Sequence, residues 1–207
     1  MARAQLYGIL DLGYVAPAEA GRAAAAMIAG GVQLLQLRAK HHPPDELIEL
    51  ARQIHRITSV TGVPLVINDH PQLAREIDAE GVHVGQGDMS ITEARAIAGG
   101  GCFVGRSTHA LEQAVRAAEE GADYIGFGPL FATPTKPDYA PIGVAEIGQV
   151  HAVVSVPIFC IGGITLDNLP KVIAAGARRV VMVSGLLLAP DIAEYARATR
   201  SLLDAQS

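Results

Sequence analysis

The chain has no tryptophan, and aromatic residues make up only 4% of it. A core built on stacked rings, as in an aromatic-rich β-sandwich, is therefore excluded. Short, closely packed helices and strands rich in alanine and valine are expected instead. Cysteine is also scarce. Cys102 and Cys160 each sit in an apolar run, "GCFVG" and "PIFCIGG". They have no metal-type spacing and read as buried free thiols in a reducing compartment. Positive charge is not in surplus. The formal charge is −5, which argues against nucleic acid as a partner. No apolar run approaches the ~18 residues of a membrane span, and the start "MARAQLYGILDLGY" is too short in its apolar stretch for a signal peptide. A cytoplasmic protein with no membrane partner is expected, and a second copy of the chain is the one macromolecular partner left open.

What is present is half hydrophobic by count, over 207 residues. That is enough for one domain, residues 1–207, with a full core. Apolar runs alternate with helix-like runs. "QLYGILD", "VQLLQLR", "VPLVIND", "GVHVG", "CFVGRS", "ADYIGFG", "VPIFCIGG" and "RRVVMVS" each precede one. These runs are continuous in hydrophobicity, as expected where both faces of a parallel sheet are covered. Glycines close several helical runs ("IAGG", "AEEG"), the usual stop signal. Eight consecutive βα units predict a (β/α)8 TIM barrel. The alternative, a doubly wound open sheet, carries a glycine-rich first turn, and "DLGYVAPAE" is not one.

A barrel of this kind works at the C-terminal ends of its strands. The polar residues gather there. Gln36, Arg38 and Lys40 alternate after the second run, so their side chains are expected at the mouth. Asn68 and Asp69 follow the third, Asp88 the fourth, and Ser107 and His109 the fifth. Two cations at a strand end suit an anion. Two carboxylates from adjacent strands, near cations and hydroxyls, suit Mg²⁺ better than an acid–base pair. Gly162–Gly163 and Ser184–Gly185 suit a backbone phosphate site, although a plain tight turn also accounts for the first pair. Asn68 or Asp69 before Pro71, and Ser107 or Thr108, equally suit helix caps, and Thr165 reads as a cap alone. His70 and His109 read as structural. After the sixth run the chain breaks into "PLFATPTKPDYAP", with hydroxyls, a lysine and bracing prolines, which is expected to act as a lid over the mouth.

Taken in order, "QLRAK", "INDH", "GVHVGQGD", "GRSTH", "ADYIGFGPLFATPTK", "IGGIT" and "MVSG" resemble the thiamine phosphate synthase family over nearly the whole chain. The resemblance implies an enzyme that condenses 4-amino-2-methyl-5-pyrimidinylmethyl diphosphate with thiazole phosphate, releasing pyrophosphate through a pyrimidinylmethyl cation. It implies Mg²⁺ on Asp69 and Asp88. It implies pyrimidine diphosphate held by Gln36, Leu37, Arg38, Ala39, Lys40, Asn68, Ser107 and Lys136, with Arg38, Ser107 and Lys136 acting in catalysis. Thiazole phosphate would lie against Thr133, Pro134, Thr135, Gly163, Val183 and Ser184. "GILDLGY", His70 and "HHPPDE" depart from the usual family pattern. A thiazole tautomerase using His109 and a non-catalytic phosphate sensor are the competing readings. The first has no use for the aspartate pair or Lys136, and the second none for the aspartate pair.

Overall fold

The computed structural model describes residues 3–135 and 139–206. Eight strands, β1 (Leu6–Asp11), β2 (Leu34–Arg38), β3 (Leu65–Asn68), β4 (Gly81–Val84), β5 (Phe103–Thr108), β6 (Tyr124–Phe127), β7 (Ile158–Cys160) and β8 (Val180–Met182), close in chain order into one parallel barrel. The ring is completed by β1 pairing with β8. The expected (β/α)8 barrel is thus the fold. Around it run α1 (Pro17–Ala29), α2 (Pro44–Thr61), α3 (Pro71–Glu76), α4 (Ile91–Ala98), α5 (Leu111–Glu119), α6 (Ile147–Val153), α7 (Leu169–Ala174), α8 (Ser184–Leu187) and α9 (Ile192–Asp204). One helix was expected after the last strand and two are found. The first, α8, has only four residues and starts where a loop was expected.

Local chemistry sets the helix ends. Prolines open α1, α2 and α3, where a missing N–H is harmless. Ser90 and Glu93 form a capping box on α4, and Asp191 accepts from the Glu194 amide to start α9. Gly62 ends α2 with φ 69°, a left-handed turn that glycine takes at little cost.

The core has two layers. Leu6, Leu10, Leu35, Leu37, Leu65 and Ile67 point outward and pack against the helices. Tyr7, Leu34, Val66, Tyr124, Phe159 and Val181 point inward and fill the barrel. Three of the inner rings meet edge to face. Phe159 lies 5.4 Å from Tyr7 and 5.6 Å from Tyr124, centroid to centroid. Such large rings fit because glycine stands opposite them. A Cβ at Gly105 would fall 2.0 Å from Tyr124 Cζ, and one at Gly81 would fall 2.2 Å from Phe103 Cε2. Both cysteines are buried and unbridged, and burial pushes the Cys160 thiol up to about 12, so it stays a packing residue. Among the described residues no helix is long and apolar enough to cross a membrane.

Candidate active site

The carboxylates that end β3 and follow β4 meet at the rim. Asp69 has φ 62°, a left-handed backbone that aspartate and asparagine tolerate better than most residues. Its Oδ2 accepts from Asn68 Nδ2 at 2.7 Å and pairs with Lys40 Nζ. Asp88 Oδ2 accepts from the Gly85 amide at 2.7 Å, and the two carboxyls touch. Burial raises Asp69 above its ordinary value, with the Asp88 charge adding to the rise, against the pull of Lys40. Partial burial would raise Asp88 as well. The Gly85 amide, the contact with Asp69 and the charges of Lys40 and Arg106 outweigh it and hold Asp88 below its ordinary value. Arg106 also braces the Asp88 loop from beneath, donating to the Met89 carbonyl at 2.8 Å.

A close pair of hard oxygen donors, held together against repulsion, fits Mg²⁺. That ion accepts two carboxylates and fills its remaining positions with water and phosphate oxygens. Among the described residues no group of three or more His, Cys, Asp or Glu comes together to make a fuller cage.

Arg38 lies next to Asp11 in the β1–β2 register and its guanidinium pairs with the Asp11 carboxylate. Asp11 is 2% exposed and also accepts from the Gly13 amide at 2.9 Å. The sequence reading missed this orienting partner, although it quoted "GILDLGY". Arg38, Gln36, Asn68, Ser107, Thr133, Thr135, Gly163, Val183 and Ser184 line one cavity in the mouth. Lys40, Asp69 and Asp88 stand beside that cavity, not in its wall. Leu37 and Ala39 are buried in the outer layer, so only their main chain is available to a ligand. Pro134 is exposed, and Lys136 lies outside the described residues.

On the opposite side, Gly162 and Gly163 have φ of 101° and 62°. They also allow close approach. A Cβ on Gly162 would lie 2.4 Å from Pro129 Cα, and one on Gly163 2.5 Å from the Ala132 carbonyl oxygen. The base of the long loop is stitched to this turn, with the Leu130 and Phe131 amides donating to Ile161 and Gly162 at 2.9 and 3.0 Å. Toward the tip of the loop, Thr135 Oγ1 lies 2.9 Å from Tyr14 Oη of the β1–α1 connection. Ser184 opens α8, and the first amides of a helix have no partner within it.

The cap alternatives are settled by partners. His70, not Asn68 or Asp69, is the N-cap position of α3, and its side chain makes no cap bond. Ala110 holds that position on α5, while Thr108 Oγ1 donates to the Gly126 carbonyl. Thr165 was expected to cap α7. The position belongs to Asn168, whose side chain instead ties back to the Thr165 amide and the Gly163 carbonyl, both at 2.9 Å. That clamp holds the glycine turn in place. His109 Nδ1 bonds the Gly128 carbonyl, and its ring lies 4.8 Å from Tyr139.

Below the mouth runs a buried chain of polar groups that joins Gln36 to Ser107 through Tyr7, Tyr124 and His83, three residues not expected from the sequence. Gln36 Nε2 donates to Tyr7 Oη at 2.6 Å, and Tyr7 Oη lies 3.0 Å from Tyr124 Oη. Tyr124 Oη lies 3.0 Å from His83 Nδ1, and His83 Nε2 lies 2.9 Å from Ser107 Oγ. The signal available in the sequence was a histidine between two valines in "GVHVG", at a spacing that puts it inside the barrel.

The thiamine monophosphate synthase family matches residues 6–186. A thiamine-phosphate synthase of Chloroflexus aurantiacus is 40% identical over 200 residues, 96% of this chain and 92% of that one. One from Thermus thermophilus is 45% identical over 177 residues, 85% of each chain. A solved thiamine phosphate pyrophosphorylase from Pyrococcus furiosus superposes with a TM-score of 0.90 at 28% identity, covering 99% of this chain and 97% of its own.

Proposed function

The chain belongs to the thiamine monophosphate synthase family and is an enzyme of thiamine biosynthesis, and from that premise we propose how its mouth joins the two substrates. The observation that carries the reading is the division of one rim. Paired carboxylates with Arg38 and Lys40 stand on the β2–β4 side, and a glycine turn with Ser184 stands on the β7–β8 side. The first suits a diphosphate with Mg²⁺, and the second suits a monophosphate held by backbone amides.

In this reading 4-amino-2-methyl-5-pyrimidinylmethyl diphosphate lies over Gln36, Asn68 and Ser107, with its diphosphate toward Arg38, Lys40 and Lys136. Asp69 and Asp88 would hold Mg²⁺, which when bound neutralises charge on the leaving diphosphate. Departure of pyrophosphate leaves a methylene cation that the aminopyrimidine delocalises. The thiazole nitrogen then forms the new C–N bond, its phosphate anchored by Gly163, Ser184 and the threonines of the long loop. The protein contributes leaving-group stabilisation through Arg38 and Lys136 and alignment of the two rings. The loop keeps water off the cation. No side-chain nucleophile takes part.

The direct test is purified protein with both substrates and Mg²⁺, assayed for thiamine phosphate and pyrophosphate in equal amounts. Product unaffected by a chelator removes the metal; no product removes the reading. One substitution separates the two anion sites. Ser184→Ala should raise KM for thiazole phosphate about tenfold, the loss of one charge-assisted hydrogen bond, with kcat within about twofold. The phosphate does not react, so its binding is uniform between ground and transition states. An unchanged KM would move the monophosphate elsewhere.

A further inference from the structure

We propose that Tyr7, Tyr124 and His83 form a one-way hydrogen-bond relay that fixes the polarity of Gln36 and Ser107 and thereby selects a 4-amino pyrimidine over its 4-oxo counterpart. This rests on the placement of the pyrimidine over Gln36 and Ser107.

With the Gln36 amide nitrogen turned inward and His83 neutral, counting protons gives the direction. The Gln36 amide nitrogen can only donate, and it does so to Tyr7 Oη at 2.6 Å. Tyr7 has a single proton, which is then directed at Tyr124 Oη, 3.0 Å away. Tyr124 passes its own proton toward His83 Nδ1 at 3.0 Å. A neutral imidazole with Nδ1 accepting carries its proton on Nε2, so it donates to Ser107 Oγ at 2.9 Å. Reversing one link requires reversing all of them. Both phenols lie deep in the barrel, 1% and 0% exposed, which keeps bulk water away from the links. Burial also raises both phenols above their ordinary value, which keeps them protonated.

The two ends of the relay emerge at the same cavity, which Gln36 and Ser107 both line. Gln36, with its nitrogen committed inward, presents its amide oxygen, an acceptor. Ser107, with its oxygen accepting from His83, presents its hydroxyl proton. The exocyclic amine of the pyrimidine is a donor and meets the Gln36 oxygen. A 4-oxo ring puts an acceptor at that place, and two acceptors face each other without a proton between them. Tyr7, Tyr124 and His83 are positioning residues here: the two tyrosines lie behind the cavity wall, His83 reaches that wall beside Ser107, and all three act through Gln36 and Ser107.

The test compares the 4-amino and 4-oxo forms of the 5-hydroxymethyl-2-methylpyrimidine alcohol as inhibitors competing with the diphosphate substrate. The wild type should bind the amino form more tightly by about tenfold or more, as for a buried polar mismatch. Tyr7→Phe and Tyr124→Phe, which keep ring volume, should shrink that ratio to within about threefold, because the amide can then turn over. KM for thiazole phosphate should not move. In ¹⁵N NMR, His83 should show one Nε2–H tautomer in the wild type and a mixture in Tyr124→Phe. A purely structural role would lower the melting temperature and leave both the ratio and the tautomer unchanged, which overturns the proposal. A wild-type His83 already in two tautomers overturns it too. A fixed tautomer combined with unaltered pyrimidine binding in Gln36→Ala would instead overturn the placement of the ring. Should Tyr124→Phe fail to fold, Tyr7→Phe alone decides the selectivity.

Discussion

Asp69→Asn and Asp88→Asn are each expected to lower kcat/KM by about 10²–10³-fold, the several kcal/mol that a metal ion contributes to charge stabilisation on a leaving phosphate. The Mg²⁺ concentration for half-maximal rate should rise in both. Asparagine is the informative replacement. It tolerates the left-handed backbone at Asp69, and at Asp88 its amide oxygen can still accept from Gly85. The fold should therefore survive. Stability sharpens the expectation. Asp69 is raised in the folded protein. Such a group disfavours folding once pH exceeds its folded pKa, and the penalty fades as pH falls toward its unfolded value. In the metal-free protein that penalty is present wherever pH lies above the folded value. Asp69→Asn removes it, so the metal-free variant should melt no lower than wild type. Calorimetry at neutral pH without metal, beside rates titrated with Mg²⁺, checks both halves. A variant with full activity at low Mg²⁺ would remove the metal from these residues. One that melts far below wild type would make the pair structural.

The barrel was legible because its strands carry one kind of information. A parallel strand covered on both faces shows only that it is buried, and eight such runs separated by helical ones leave few folds to choose from. The same property hid the inner layer. In "LYGILD" every residue is buried, so the alternation that sends Tyr7, Ile9 and Asp11 inward is invisible without register. Asp11, Tyr7 and Tyr124 were missed for that reason, and Leu37 and Ala39 entered the binding segment although both side chains point away from the mouth. The glycines carried a usable clue. Gly105 stands in register beside Tyr124, and a small residue there is the mark of a large ring inside the barrel. The helix after β8 was unreadable for another cause. "SGLL" is too short to show a period, and Val183 at its N-cap position makes no side-chain cap bond. Thr165 and Asn168 show the limit of cap arguments. Either residue type can start a helix, and the partner that decided between them, the Gly163 carbonyl, is itself part of the turn.

Arg38 is expected to separate folding from catalysis most sharply. Its side chain is 15% exposed and that of Asp11 3%. Arg38→Ala therefore leaves a buried carboxylate whose remaining help is the Gly13 amide. Breaking such a pair from one side costs about 3–5 kcal/mol, roughly 10 °C in melting temperature for a chain of this size. Asp11→Asn added to Arg38→Ala removes the stranded charge and keeps the acceptor for Gly13. The double variant should regain about half or more of the lost stability. Activity should follow a different course. The diphosphate loses a guanidinium that no asparagine replaces, so kcat/KM should stay at least about 10²-fold below wild type in both variants. Melting curves and steady-state rates on the three proteins measure the two effects independently. Activity that returns together with stability would mean that Arg38 only shapes the rim. Stability that does not return would mean that the β1–β2 register needs the guanidinium for more than neutralising Asp11. Stability restored while activity stays lost places Arg38 on the leaving diphosphate, with Asp11 holding it there from within the barrel.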